Sequence, residues 1–300
     1  MSKPDWARLP TETRHPASRR LDMLPTARIV ALLLDEDRRG LELARRKARD
    51  VARAAELFAR SLEGGGRVVF AGAGTSGRLG VLEAAECPPT FGSDPERIVG
   101  VMAGGQGAVF RAVEGAEDRA EEGRDAARQL GRRDLLIGLS ASSVTPFVRG
   151  ALAEARRRRA ASVLVTCAGP RGLAGLADVV VALATGPEIL TGSTRLKAGS
   201  ATKAVLNAIS TAAMVRLGKA YENLMVDLRP TNAKLRDRAL RIVAAATGRP
   251  DAEALLAEAG GEVKTAIVMG VLALAAPAAR RRLVRADGHV RAALGAPRRR

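Results

Sequence analysis

The sequence predicts an α/β fold: a five-stranded, mostly parallel sheet flanked by helices, with N-terminal helices before it and a small C-terminal helical domain after it. Three observations carry this. Short apolar runs recur at 68–71, 98–102, 135–139, 162–166 and 179–183, separated by stretches that can hold crossover helices. Helical periodicity precedes the first run. Beyond Pro230 it resumes to the end, broken at Gly248-Arg249-Pro250 and Gly260-Gly261. The expected division is 1–58 for an arm and helices, 59–222 for a ligand-binding catalytic domain and 223–300 for the helical domain.

Taken in order, residues 1–25 carry Pro4, Pro10, Pro16 and Pro25 among charges and read as an extended arm that does not pack. The segment Thr11-Glu12-Thr13-Arg14-His15-Pro16 has no periodicity. From Thr26, a capping residue, to about Arg60 two helices are expected, with apolar stripes through Ile29, Leu32 and Leu33 and then Leu43, Val51 and Leu57. The first strand runs straight into Gly72-Ala73-Gly74-Thr75-Ser76-Gly77 and a helix through Leu79, Leu82 and Ala85. A loop of this kind presents free N–H groups at the positive end of a helix, with Thr75 and Ser76 as hydroxyl donors, so an anion is expected there, phosphate first.

The same glycines match G-x-G-x-x-G, yet a dinucleotide site also needs an acid at the end of the next strand. Here that strand, Ile98 to Met102, ends in Ala103-Gly104-Gly105, which argues against a nicotinamide or flavin. A second hydroxyl loop, Ser140-Ala141-Ser142-Ser143-Val144-Thr145-Pro146, follows the third strand, with Pro146 suited to a first helical turn. Either loop alone reads as helix capping; together on one sheet edge they favour phosphate, with Ser140, Ser142 and Thr145 joining Thr75, Ser76 and Gly77 as contacts. After the fifth strand, Glu188, Thr191, Ser193, Arg195 and Lys197 precede a helix at about 200–217 with an apolar face through Val205, Ile209, Ala212 and Met214. Arg195 and Lys197 can complement a phosphate or carboxylate.

Two carboxylate positions suit proton transfer. The helix at 76–86 should end at Glu86, because Pro88 and Pro89 cannot continue it, and an acid at a helix C-terminus has a raised pKa. Between Gln106 and Asp118 a helix with an apolar face of Val109, Phe110 and Val113 would carry Glu114, Glu117 and Asp118 on adjoining positions. One of these facing Glu86 would complete an acid–base pair; spacing does not choose which.

Composition bounds the rest. The 300 residues, 47% hydrophobic, can bury a substantial core, and the formal charge of +17 invites anionic partners. With aromatic content at 2% and no helix-turn-helix or zinc pattern, the arginine runs at 156–159, 280–282 and 298–300 read as solvated surface, not a nucleic-acid site. Cys87 and Cys167 make no disulfide framework, and His15 and His289 lack metal-ligand spacing. The apolar stretch Ala266 to Ala276 is too short to span a bilayer and is closed by Pro277, so a soluble cytoplasmic protein without a membrane partner is expected.

Several blocks carry a resemblance: Gly72-Ala73-Gly74-Thr75-Ser76-Gly77-Arg78-Leu79-Gly80, Ala85-Glu86-Cys87-Pro88-Pro89-Thr90-Phe91-Gly92, Ala112 to Asp118, and Leu190 to Gly199. With Thr11 to Arg14, Asn223 to Asp227 and Lys264 to Met269, they resemble the N-acetylmuramic acid 6-phosphate etherases nearly end to end. The resemblance implies a sugar isomerase (SIS) domain in a homodimer, no cofactor, and a phosphorylated amino sugar as substrate, split to N-acetylglucosamine 6-phosphate and D-lactate. It also implies Glu86 as proton donor and Glu117 as the other catalytic residue; Glu188 and Lys197, from the segment after the fifth strand, are expected among the substrate contacts.

One block departs. Where the family usually reads Ala-Ala-Ser-Gly-Arg-Thr-Pro, this chain has Ser143 for the glycine, expected to forbid a positive-φ backbone, and Val144 for the arginine, which removes a charge.

Overall fold

The computed structural model describes residues 9–228 and 232–295. Pro4, Pro230 and the 298–300 arginines fall outside them. The chain divides into two compact units, Met1–Ala85 with Pro95–Ser210, and Glu86–Asp94 with Thr211–Arg300.

In the first unit the arm forms three short 3-10 turns, Pro10–Glu12, Pro16–Ser18 and Leu21–Met23, before helices α1 (Thr26–Arg46) and α2 (Ala48–Glu63). The arm is packed, contrary to expectation: Thr11 and His15 are buried. Thr26 does not cap α1; Pro25 occupies the N-cap and Thr26 is the first helical residue.

The sheet then builds as β1 (Val68–Gly72), β2 (Ile98–Met102), β3 (Leu135–Leu139), β4 (Ala161–Thr166) and β5 (Val179–Ala182), in the order β2-β1-β3-β4-β5, every pairing parallel. Parallel strands covered on both faces carry unbroken apolar runs, and β1 and β3 are buried at every residue. Alternation sends Phe70 to one face, where its ring meets Phe58 of α2 with centroids 6.3 Å apart. Val69 and Ala71 face the other side, in a core with Leu136 and with Phe147, Val148 and Leu152 of a helix described below. Truncating Phe70, 1% exposed, to alanine costs about 3–5 kcal/mol.

The connecting helices are α3 (Gly74–Phe91), α4 (Gly107–Phe110), α5 (Ala120–Ala127), α6 (Pro146–Arg157) and α7 (Lys197–Arg216). α6 starts on Pro146, whose fixed φ suits a first turn and whose missing N–H costs nothing there. On α7 the buried apolar residues include Val205, Leu206, Ile209, Ala213 and Met214; Ala212 is exposed.

The second unit has a two-stranded ladder, β6 (Ala220–Tyr221) with β7 (Leu224–Met225), and helices α8 (Ala233–Thr247), α9 (Ala252–Glu258), α10 (Val263–Leu272), α11 (Ala276–Arg285) and α12 (Val290–Ala293). Its core joins Ile242 and Val243 of α8, Leu255 and Leu256 of α9, and Ile267 and Val268 of α10. The breaks fall at Gly248 to Pro250 and at Gly260-Gly261, and Asn232 caps α8 through its side chain to Leu235 N–H. Among the described residues no single helix is long and apolar enough to cross a membrane.

Candidate active site

β2 lies on one side of β1 and β3 on the other, so the sheet changes its direction of growth between β1 and β3. In open α/β sheets ligands bind at such a switch point, outside the carboxyl ends of the strands. Gly72 and Leu139 are register partners at those ends, so the β1–α3 and β3–α6 loops leave the sheet side by side. These are the two hydroxyl-rich loops.

The first loop is shaped by close backbone contact. A Cβ on Gly72 would stand 2.7 Å from Gly77 N, and one on Gly77 would stand 2.7 Å from Gly72 O. Gly74, at φ +54, supplies the left-handed turn. Helix α3 therefore begins at Gly74, two residues earlier than expected, with Thr75 and Ser76 half-buried in its first turn, where backbone N–H groups lack helical acceptors.

In the second loop Ser140 and Thr145 share a hydrogen bond of 2.8 Å between hydroxyls, and Ser142 Oγ accepts from Val144 N–H at 3.4 Å. The expected loss of the positive-φ backbone does not occur: Ser143 adopts φ +66. Its N–H donates to Ser140 O and its carbonyl accepts from Arg149 Nε at 2.6 Å, contacts that hold a conformation serine alone disfavours. Burial lowers the Arg149 pKa from its ordinary value.

Glu117 comes from the segment after β2. No continuous helix spans 106–118: α4 stops at Phe110, and Glu117 sits exposed in a 3-10 turn, Ala116–Asp118. Arg111 is extended at φ −133 and Gly115 has a positive φ, which interrupts the helical pattern, and Phe110, at 88% exposure, forms no core face. Arg78 ties the segment to α3, donating from Nε to Val109 O and from Nη2 to Ala108 O, both at 2.8 Å. Neither bond leaves a periodic trace, so sequence reasoning passes over Arg78.

Past β5, Glu188 is 1% exposed and its carboxylate accepts from Ala198 N–H at 2.8 Å and Lys197 N–H at 3.2 Å, capping α7. Burial raises its pKa, opposed by the Ala198 amide. Lys197, 3% exposed, donates from Nζ to Glu36 of α1 and to Pro187 O, while Arg195 is exposed. α7 starts at Lys197, three residues before the expected 200. Cys167 lies buried nearby, its Sγ 3.6 Å from Ala198 O and its thiol pushed by burial up to about 11.

Glu86 belongs to the second unit and is exposed. Helix α3 does not end there; it runs through Pro88 and Pro89 to Phe91, so Glu86 is not at a helix C-terminus and the expected macrodipole effect has no basis. The prolines remove two helical donors, but Gly92 N–H bonds Pro88 O and the buried Cys87 and Phe91 anchor the last turn. One turn earlier, the buried Glu83 binds Lys203 at 2.6 Å and Ser210, a polar anchor between α3 and α7 without any motif of its own. Among the described residues no three His, Cys, Asp or Glu side chains are grouped to hold a metal ion.

Residues 50–156, which include the β1–α3 and β3–α6 loops and Glu117, match the family model of the glucokinase regulatory protein N-terminal SIS domain. Phosphoheptose isomerase from Neisseria gonorrhoeae is similar with a TM-score of 0.46 and 21% identity, covering 62% of this chain and 100% of that one. Two relatives called N-acetylmuramic acid 6-phosphate etherase match far more of the sequence. That of Salmonella choleraesuis is 50% identical over 290 residues, 95% of this chain and 98% of the relative. That of Cutibacterium acnes is 51% identical over 288 residues, 95% of each chain. Identity of this extent, spanning the two loops and both carboxylate segments, makes the chain a member of the N-acetylmuramic acid 6-phosphate etherase family.

Proposed function

We propose that this enzyme cleaves the D-lactyl ether of N-acetylmuramic acid 6-phosphate, giving N-acetylglucosamine 6-phosphate and D-lactate. The observation that carries the reading is half-identity to etherases across 95% of the chain. The two hydroxyl loops at the switch point of the sheet support it as a phosphate site, with Thr75, Ser76, Gly77, Ser140, Ser142 and Thr145 as its contacts. We assign the enzyme to a cytoplasmic homodimer that recycles peptidoglycan sugars.

A C3 ether is a poor leaving group, so the reaction needs an acidified neighbour. Opening of the sugar ring exposes an aldehyde at C1, which acidifies the C2 proton. Glu117 removes that proton, the C3–O bond breaks, and Glu86 protonates the departing lactate oxygen. Water then adds to the C2–C3 double bond, its hydroxyl to C3 and a proton to C2, so the sum is hydrolysis. In labelled water the product gains solvent hydrogen at C2 and solvent oxygen at C3. Retention of the original C3 oxygen in the sugar overturns the elimination. Replacing Glu86 or Glu117 by Gln lowers kcat by about 10²–10⁴; wild-type rates in both variants refute the assignment.

The family model over residues 50–156 favours a second reading, a phosphosugar sensor that binds without turnover. The presence of both Glu86 and Glu117 weighs against it. Release of D-lactate from the 6-phosphomuramic sugar separates the two.

A further inference from the structure

The arm segment Thr11 to Ser18 has no part in the chemistry above, yet it is docked at several points. Thr11 O accepts from Gly192 N–H at 3.1 Å, and Ser18 Oγ donates to Ile189 O at 2.7 Å, so the arm grips the β5–α7 loop along its length. Between these contacts the His15 ring places Nε2 3.4 Å from Glu36 Oε2. The same oxygen accepts from Lys197 Nζ at 2.5 Å.

The four residues at the centre of this junction are buried: Thr11 is 2% exposed, His15 7%, Glu36 6% and Lys197 3%. A buried ammonium is costly unless paired and hydrogen-bonded, and Lys197 gains a carboxylate and the Pro187 carbonyl. Burial alone would raise the Glu36 carboxyl, but Lys197 and Arg39 together hold it below its ordinary range. Helix α1 is shaped to admit the lysine, since a Cβ on Gly40 would stand 2.9 Å from Lys197 Cγ.

The junction also reaches the phosphate loop. Lys197 opens α7, and two residues on a Cβ at Gly199 would lie 3.7 Å from Thr75 Cγ2. The first turn of α7 therefore abuts the first turn of α3. We infer that Glu36, Lys197 and the arm from Thr11 to Ser18 are positioning residues, which set the β5–α7 loop and the first turn of α7 against Thr75 without touching the ligand. This revises the sequence expectation for Lys197, a phosphate contact, into an indirect role.

The inference uses the proposed etherase activity only for one of its readouts. The test measures D-lactate release, calorimetric binding of N-acetylglucosamine 6-phosphate and thermal unfolding for the wild type, Glu36→Gln, Lys197→Met, the double variant and Ser18→Ala. A shared positioning role predicts that the two single variants weaken binding by a similar factor, about tenfold or more, and that the double variant is no worse than either. If Lys197 contacts the ligand, Lys197→Met loses affinity while Glu36→Gln keeps or improves it, and the inference fails. Binding and KM within twofold of wild type in all folded variants, with only the melting temperature lowered, also overturns it. Should the buried-pair variants not fold, Ser18→Ala decides: a rise in KM of about threefold at unchanged melting temperature supports the inference, and an unchanged KM refutes it. Wild-type protein that binds the product but releases no D-lactate defeats the proposed activity, and the binding series still tests the junction.

Discussion

Arg78 on α3 holds Val109 by its carbonyl, Nε to O at 2.8 Å, and thereby joins the helix that follows β1 to the segment that carries Glu117. A second bond, from Nη2 to Ala108 O, fixes the orientation of the guanidinium. Hydrogen bonds from a charged donor contribute about 1.5–3 kcal/mol each. Arg78→Met is expected to lower kcat by about tenfold or more, because small displacements of a catalytic group are costly. D-lactate assays with the variant check this; an unchanged kcat would show that the segment keeps its place by other means.

Gly77 and Gly72 meet backbone to backbone. Gly77→Ala places a methyl 2.7 Å from Gly72 O and 2.9 Å from Met102 Cγ, so the loop must open. Phosphosugar affinity should fall by at least about tenfold, by analogy with the cost of losing a few well-placed backbone donors. Calorimetry with N-acetylglucosamine 6-phosphate measures it directly.

Ser143 occupies a left-handed backbone at φ +66, where a Cβ costs roughly 1–2 kcal/mol. Ser143→Gly relieves that strain and should raise stability by up to about 1 kcal/mol, part of the relief being offset by the freer unfolded chain. Ser143→Val should be less stable than wild type, since a β-branched side chain fits this region worst. Denaturant unfolding of the three proteins ranks them.

Acid sensitivity follows from Glu154 on α6. Its carboxylate accepts from Arg157 Nε at 2.7 Å and Nη2 at 2.6 Å, and from Arg158 Nε at 2.8 Å. The Arg157 hydrogen bonds, then those of Arg158, lower its pKa from 4.5 to about 2. A folded pKa below the unfolded one means that the contribution is fully present above about pH 4.5 and is lost as pH falls towards 2. The gap in melting temperature between wild type and Glu154→Gln should therefore shrink between pH 5 and pH 2. A gap independent of pH contradicts the role given to the ion pairs.

The sequence by itself determined the sheet and the two hydroxyl-rich turns that leave its carboxyl edge. Strands are legible because a buried parallel strand must be continuously apolar, and all five lie within a residue or so of the expected runs. The hydroxyl loops are legible because glycine and hydroxyl residues between a strand and a helix announce a turn with free donors. Glu86 stands out from its place ahead of Pro88 and Pro89, and Glu117 only through the resemblance, as spacing alone leaves Glu114, Glu117 and Asp118 level.

Only the tertiary structure decided the rest. α3 continues through Pro88 and Pro89 because buried Cys87 and Phe91 anchor its end, which local propensity does not register. Ser143 reaches a positive φ because Arg149, six residues on, holds its carbonyl. Lys197 looked like a free cation for the substrate, yet its partner Glu36 is 161 residues away in sequence. Local patterns report periodicity and backbone preference. Which charges meet in the interior depends on how distant elements pack, and burial makes that pairing obligatory.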